Sequence, residues 1–443
     1  MKKSQKIPEV SVFKFLKHAT QIVENPLPFH LNNFQKLGDI FRLNLGFGKS
    51  VIFSRDPVIA QHLLQKNQKN YHKSPIQAKD LAKYVGQGLL TTNGEHWQKQ
   101  RKLIQPAFHK KQLEKLMGTV HLAIQKELDK IKTDREFDIF PIFNDLAFQT
   151  VVKSLFSSAI GEKEINRLQY ITEAAQKMLV SELRQPYRNW WFRLSGKIQQ
   201  HLDLTQEARQ ILKAIVEKRK NSLQREDDLL DMLLDARYDD ATAMDEEQLI
   251  DEILILFTAG HETTSNALTF TCELLARHPK IQQKLYEDIL LAKENSSNLM
   301  QFLQQSAYAN LVISESMRLY PPAYFIDRIS LAADEVAGVK IGSDESLLLS
   351  IYEIHRHKDH WEQPEQFIPE RFAEGKQRKN IAYYPFGAGP RKCIGNNFAM
   401  YEMILAVSEV MLKFKIKPKK APIQILPLIT LKPRNAFLNF TKR

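Results

Sequence analysis

One stretch, from Asp245 to Arg277, decides what kind of protein this chain can form. Aspartate followed by Glu246 and Glu247 is an acidic helix start, and His278-Pro279 is a stop, so a single helix is predicted over the whole stretch. At about 1.5 Å per residue it is roughly 50 Å long. Its middle, Ile253 to Gly260 (ILILFTAG), is apolar on every side, which marks a helix buried through a protein's centre. A chain of 443 residues, 43% hydrophobic, is large enough to bury it. The segment Ala259 to Thr264 (AGHETT) then goes against the pattern. Glycine costs about 1 kcal/mol inside a helix, threonine is also poor there, and a carboxylate in such a core is expensive unless paired. These costs predict a local widening of the helix that serves function. The competing reading of Glu262 is that the apolar middle has ended and the helix surfaces.

A second stretch, Phe386 to Gly395 (FGAGPRKCIG), concentrates reactive chemistry. It surrounds Cys393, one of only two cysteines, with three glycines, a proline, Arg391 and Lys392, and a helix-like run follows at once. The amide hydrogens and dipole of a helix start favour thiolate over thiol, and thiolate is the form that ligates metal or attacks carbon. Gly387, Gly389 and Gly395 let backbone amides approach the sulfur or a flat ligand. Arg391 offers a donor fork suited to a carboxylate. Taken alone, the cysteine is also compatible with a buried thiol in a glycine-rich turn. It is compatible too with a nucleophile whose histidine partner the sequence does not place.

Other features set limits. The other cysteine, Cys272, sits in the apolar long helix and reads as core; no CxxC pair suggests structural zinc. This usage fits a reducing, cytoplasmic compartment. Net charge is +12, yet the lysines are scattered among acids, which argues against nucleic acid; the densest block, Lys413 to Lys420, reads as a solvated edge. The N-terminus has no apolar run long enough for a signal peptide or membrane anchor. Ile40 to Leu45 and Ser50 to Phe53 around GFGK predict a β-hairpin, and Asp56-Pro57 a helix start. Tyr71 to Asn93, with Gly86 and Gly88, reads as a long irregular, functional loop. Pro186 to Leu194 (PYRNWWFRL) is aromatic and basic and reads as a substrate lid, a membrane-touching patch or a packing element, packing being the main expectation. Trp97 and Arg101 lie one turn apart on a helix, and Glu315 and Arg318 form an E-x-x-R pair that is usually a surface ion pair.

The cysteine stretch as a whole, F-x-x-G-x-R-x-C-x-G, resembles the haem-binding loop of the cytochrome P-450 family, where the cysteine is the axial thiolate on haem iron. Companion features occur in the family's order. Trp97-x-x-x-Arg101 is similar to the helix whose indole and guanidinium bind a haem propionate. Ala259-Gly260-x-Glu262-Thr263 resembles the oxygen-binding motif, whose small residues leave room over the iron and whose acid-alcohol pair relays protons. Glu315 and Arg318, with Arg371 of the P-E-R-F string, resemble the Glu-Arg-Arg triad that locks the core beneath the haem. Arg328, after Pro321-Pro322, aligns with a further propionate-binding arginine.

The resemblance implies a mainly α fold with a small β-rich side, one large domain over residues 1–443 around a buried haem b. It overrides the two or three domains that length alone suggests. Cys393 is then the metal ligand, with Trp97, Arg101, Arg328, Arg391, Phe386, Gly387, Ala259 and Gly260 holding or lining the cofactor. Thr263 and Glu262 are the catalytic pair. Leu90, Ala323 and Ile429 border the substrate pocket. The implied activity is a monooxygenase that puts one atom of dioxygen into a lipophilic substrate of the fatty-acid, terpenoid or carotenoid kind. No dinucleotide fingerprint or cysteine quartet is evident, so electrons are expected from a separate ferredoxin or flavodoxin with its reductase, docking on Lys392, Lys99 and Lys102. A peroxide-using or isomerase relative, and a non-catalytic haem sensor, are the alternatives; both leave the acid-threonine pair without purpose.

Overall fold

A computed structural model describes residues 6–157, 159–373 and 380–443. The chain forms two compact units. The first comprises residues 1–74, 310–394 and 422–435, and the second residues 75–309, 395–421 and 436–443.

The first unit carries the larger sheet. Its six strands lie in the order Glu9–Val10, Ile40–Gly46, Lys49–Ser54, Ser346–Leu349, Ile326–Ser330 and Tyr71–His72. Ile40–Gly46 and Lys49–Ser54 form the expected hairpin, with Phe41 opposite Phe53 and their rings stacked at 5.1 Å. Asp56 caps the following helix, its carboxylate accepting from the Val58 amide at 2.7 Å. Behind the sheet, Ile52, Leu63, Leu64, Tyr71, Leu347, Leu349, Trp361 and Tyr384 share one apolar core. A small hairpin, Gln424–Pro427 with Leu431–Arg434, belongs to the same unit.

The second unit is helical and is built around Glu246–Arg277, a 32-residue helix whose N-cap, Asp245, accepts from the Gln248 amide at 2.8 Å. The apolar helix Phe140–Phe156 packs along it. Phe148 and Phe156 meet Phe257 with ring centroids 5.4 and 6.1 Å apart. Gly260 is required by that packing as well: a Cβ there would lie 2.9 Å from Val151 Cγ2. No helix among the described residues is long and apolar enough to cross a membrane.

Three sequence expectations need correction. The helix does not widen at residues 259–264; it stays α-helical throughout, because the poor helix formers are satisfied within it. Thr263 Oγ1 donates to the Ala259 carbonyl at 2.9 Å, and His261 Nδ1 bonds the Phe257 carbonyl at 2.7 Å. The stretch Tyr71 to Asn93 is mostly ordered. A π-helical turn, Ile76–Leu81, runs into Ala82–Val85, bounded by Pro75 and by Gly86 at φ +81°, so residues 86–93 form the one long loop of this stretch. Pro186 to Leu194 is not a packing element: only Phe192 is buried, while Tyr187, Trp190, Trp191 and Leu194 are exposed.

Candidate functional site: a thiolate loop, an arginine pair and an accessible helix stripe

In the first unit the cysteine loop is a set of tight turns. Gly387 (φ +69°) and Gly389 (φ +68°) take left-handed conformations. The Gly387 amide donates to the Tyr384 carbonyl at 3.1 Å, Lys392 to Gly389 at 3.0 Å and Cys393 to Phe386 at 2.9 Å. Close approach explains Gly389 further: a Cβ there would sit 2.0 Å from the Leu64 carbonyl oxygen. The result leaves Phe386 half-buried and the Cys393 thiol exposed, whereas Cys272 is buried and burial pushes its thiol pKa far up. Only Cys393 is placed to act as a thiolate.

Below the loop Glu315 and Arg318, a surface pair by spacing alone but part of a core-locking triad by resemblance, lie at zero exposure. Arg318 Nε and Nη2 donate to the Glu315 carboxylate at 2.7 and 2.8 Å, and Arg371 Nε donates to the same group at 2.9 Å. The Arg318 guanidinium also donates to the carbonyls of His355, Pro364 and Gln366. The two guanidinium groups share the one carboxylate, and backbone carbonyls take the remaining Arg318 donors, so the buried charges are paired and hydrogen-bonded. His355 extends it: its Nε2 accepts the Tyr384 amide at 2.8 Å, and burial with the Arg318 charge lowers its pKa to about 3, so the ring is neutral where it anchors the cysteine loop.

Arg328 and Arg391 come together differently. Arg328 is buried, and burial and the charge of Arg391 hold its pKa down at about 10; burial also lowers that of Arg391. His72, beside them, is lowered by burial and then by Arg391 and Lys73. Against this positive group stands Asp327, to which the Ser74 hydroxyl donates. Two mutually repelling guanidinium groups, Arg328 buried and Arg391 half-buried, fit an anionic ligand, and the propionates of haem supply that charge. Ala323, exposed, and Ile429, at the tip of the 424–434 hairpin, are tied to one neighbourhood by Tyr324 Oη to Leu428 O at 2.8 Å and Leu431 N to Pro322 O at 2.9 Å.

In the second unit the long helix is buried nearly all round, yet Leu256, Ala259, Gly260 and Thr263 keep accessible surface. Their spacing of i, i+3, i+4 and i+7 puts them on one face, which keeps accessible surface even though Gly260 also abuts Val151. Glu262, adjacent, is buried at 8% exposure, which decides against a helix that surfaces there. Trp97 is buried and Arg101 half-buried one turn on, with Arg101 Nε donating to Gln105 Oε1 at 3.0 Å. Leu90 is half-buried in the 86–93 loop. Lys102 pairs with Asp239 at 2.6 Å, and Asp240 feels the charge of Lys99, so these two lysines are balanced by acids and give little net basic face.

One buried acid escaped the sequence reading. Glu402, nine residues after Cys393 on Asn396–Lys413, accepts from the hydroxyls of Thr150 and Thr264, and burial pushes its pKa up to about 8. Its sequence signal is a carboxylate set among the apolar residues Met400 to Val407.

A profile described as cytochrome P450 matches residues 7–440. The chain is 26% identical to pentalenene oxygenase of Streptomyces avermitilis, covering 96% of this chain and 95% of that protein. It is 27% identical to cyclooctat-9-en-7-ol 5-monooxygenase of Streptomyces melanosporofaciens, over 91% and 88%. The solved haem domain of cytochrome P450DA superposes with a TM-score of 0.88 at 20% identity, covering 100% of this chain and 98% of that one. Matched along nearly its whole length, with an exposed thiol on a glycine-built loop and a charge cluster suited to propionates, this chain belongs to the cytochrome P-450 family.

Proposed function

We propose that this monooxygenase oxidises a long lipophilic molecule of the fatty-acid, terpenoid or carotenoid class, drawing electrons from a separate ferredoxin or flavodoxin and its reductase in the cytoplasm. The family's cofactor is haem b, which when bound activates dioxygen so that one atom enters the substrate and the other leaves as water. The whole chain, residues 1–443, serves as one catalytic domain.

Cys393 supplies the thiolate, and Phe386 and Gly387 shape the loop that presents it. Arg328 and Arg391, with Trp97 and Arg101, hold the propionates by charge and hydrogen bond. The Glu315–Arg318–Arg371 cluster keeps the loop's foundation in place. Ala259 and Gly260 add no bulk to the helix face on which substrate rests. Thr263 already donates its hydroxyl proton to the Ala259 carbonyl, which leaves Oγ1 able to accept a proton or a hydrogen bond on the accessible side. Glu262 is the adjacent carboxyl that exchanges protons with that hydroxyl's surroundings. Together they deliver protons to the reaction.

The observation that carries the substrate class is the accessible stripe itself: Leu256, Ala259 and Gly260 offer an apolar surface with a single hydroxyl, Thr263. The names of the two Streptomyces relatives, carrying pentalenene and cyclooctat-9-en-7-ol, are consistent with largely hydrocarbon substrates. The test begins with the absorption spectrum of dithionite-reduced protein under carbon monoxide, where the strongly red-shifted band is expected and Cys393→Ser abolishes it. Fatty acids and terpenoids are then screened for shifts in the oxidised spectrum. A protein that gives the band but responds to none of these lipophiles, only to small polar molecules, refutes the substrate class.

A further inference from the structure

We propose that Asp251 and Glu252 are positioning residues that latch the 86–92 loop over one end of the accessible stripe and thereby set the size of molecule admitted to it. The proposal rests on the monooxygenase reading of that stripe. Glu252 lies one turn before Leu256 on the long helix and so extends the face formed by Leu256, Ala259, Gly260 and Thr263. The loop sits on these two acids. Asp251 accepts the Gln87 amide at 2.6 Å, and Glu252 accepts the Leu89 amide at 3.1 Å. Gln248, one turn earlier, donates both to the Gln87 carbonyl at 2.6 Å and to Glu252 at 3.2 Å.

The two loop glycines leave room for these carboxyl groups, which any Cβ would have to displace. A Cβ at Gly86 would lie 2.1 Å from the Asp251 carboxyl, and one at Gly88 would lie 2.7 Å from that of Glu252. Each carboxylate therefore occupies the space where a side chain would be. Helix-dipole stabilisation does not account for the acids, because it fades within the first turn and these follow Glu246 by five and six residues. Glu252 is 1% exposed, a costly place for a carboxylate unless its bonds are part of what the site needs.

The loop also holds its own shape. Thr91 Oγ1 accepts from the Gly88 amide at 2.9 Å and donates to the Gly86 carbonyl at 2.8 Å, while Thr92 Oγ1 donates to the Gly88 carbonyl at 2.8 Å. It is thus a rigid flap carrying Leu89 and Leu90, attached through two amides. A third element joins the latch: Arg209, on Lys197–Lys220, donates from Nη2 to Asp251 and from Nη1 to Glu247 at 3.3 Å. Asp251 is shared between the flap and that helix, so displacing either loosens the other.

The experiment combines two readouts on holoprotein. Hydrogen exchange at the Gln87 and Leu89 amides is measured in wild type, Asp251→Ala, Asp251→Asn and Gly88→Ala. Stopped-flow binding of imidazole and of the bulky azole clotrimazole is followed in the Soret band. Losing a charge-assisted amide bond in Asp251→Ala, or pushing the flap off Glu252 in Gly88→Ala, is expected to speed amide exchange about tenfold. Clotrimazole association rises by about the same factor, and imidazole association stays within about twofold. Asp251→Asn keeps an acceptor for Gln87 and restores slow exchange most of the way. Unchanged exchange, or equal changes for both azoles, overturns the latch. Absence of any imidazole response in wild type would instead overturn the monooxygenase reading, and the exchange data would still decide whether the acids hold the loop.

Discussion

Replacing Glu402 by glutamine isolates a titration that the fold holds out of reach of water. The carboxyl is fully buried. The hydroxyls of Thr150 and Thr264 donate to it and favour the carboxylate, but burial outweighs them, and Oε2 has no partner, so the neutral acid is the favoured form. Burial raises its pKa from 4.5 to about 8. The sign follows from linkage: above pH 4.5 the unfolded chain releases this proton while the folded chain keeps it until about pH 8. The contribution is therefore complete below pH 4.5 and lost progressively as pH rises to about 8. At about 1.36 kcal/mol per pH unit, wild type loses on the order of 3 kcal/mol relative to Glu402→Gln between about pH 5 and 7.5. Scaled by an unfolding entropy of roughly 0.9 kcal/mol/K for a chain of this size, that is about 3–4 °C in melting temperature. The assay is the melting temperature of both proteins at the two pH values. Glutamine places an amide where Oε2 was, a cost that is the same at every pH. Glu353, which burial raises to about 7, titrates in both proteins and cancels in the difference. The variant is expected to gain on wild type by 3–4 °C, in that same estimate, as pH rises. A difference that does not change with pH would mean that the carboxyl is ionised in the folded protein, and the reasoning would be wrong.

Three further outcomes are expected. Glu315→Gln leaves Arg318, at zero side-chain exposure, without its counter-charge; about 3–5 kcal/mol is lost, and purified protein should show a lower melting temperature and less haem per chain. Gly389→Ala should abolish haem incorporation, since its Cβ meets the Leu64 carbonyl oxygen at 2.0 Å. Gly387→Ala, whose nearest neighbour is 3.8 Å away, should cost only about 1–2 kcal/mol of left-handed strain and keep the haem spectrum. Thr263→Ala removes the hydroxyl of the accessible stripe and should lower product formed per electron consumed about a hundredfold, with the carbon monoxide band intact. Full coupling in that variant would remove Thr263 from proton delivery.

What was legible in the sequence is what local chemistry encodes. The long helix carries its own start, stop and length, so Asp245 as N-cap and His278-Pro279 as terminus are readable without any tertiary knowledge. The turns of the cysteine loop are equally local, because Gly387 and Gly389 are the residues that left-handed turns select. Tertiary partners are a different matter. Glu315 and Arg318 look like any exposed i, i+3 pair until Arg371, 56 positions beyond Glu315, and the carbonyls of His355, Pro364 and Gln366 close around them. Asp251 and Glu252 carry no mark of their own in the sequence, and Gly86 and Gly88 show only as part of a long irregular stretch. Only the fold reveals that each glycine makes space for a carboxylate about 165 residues away. The widening expected around Thr263 fails for a related reason. Propensity counts a threonine as a cost, whereas its hydroxyl, folded back on the Ala259 carbonyl, is satisfied within the unbroken α-helix. A polar group inside an apolar helix thus marks a place where a partner must exist, and the sequence leaves open whether that partner is the helix's own backbone, as for Thr263, or a distant element, as for Glu252 and Glu402.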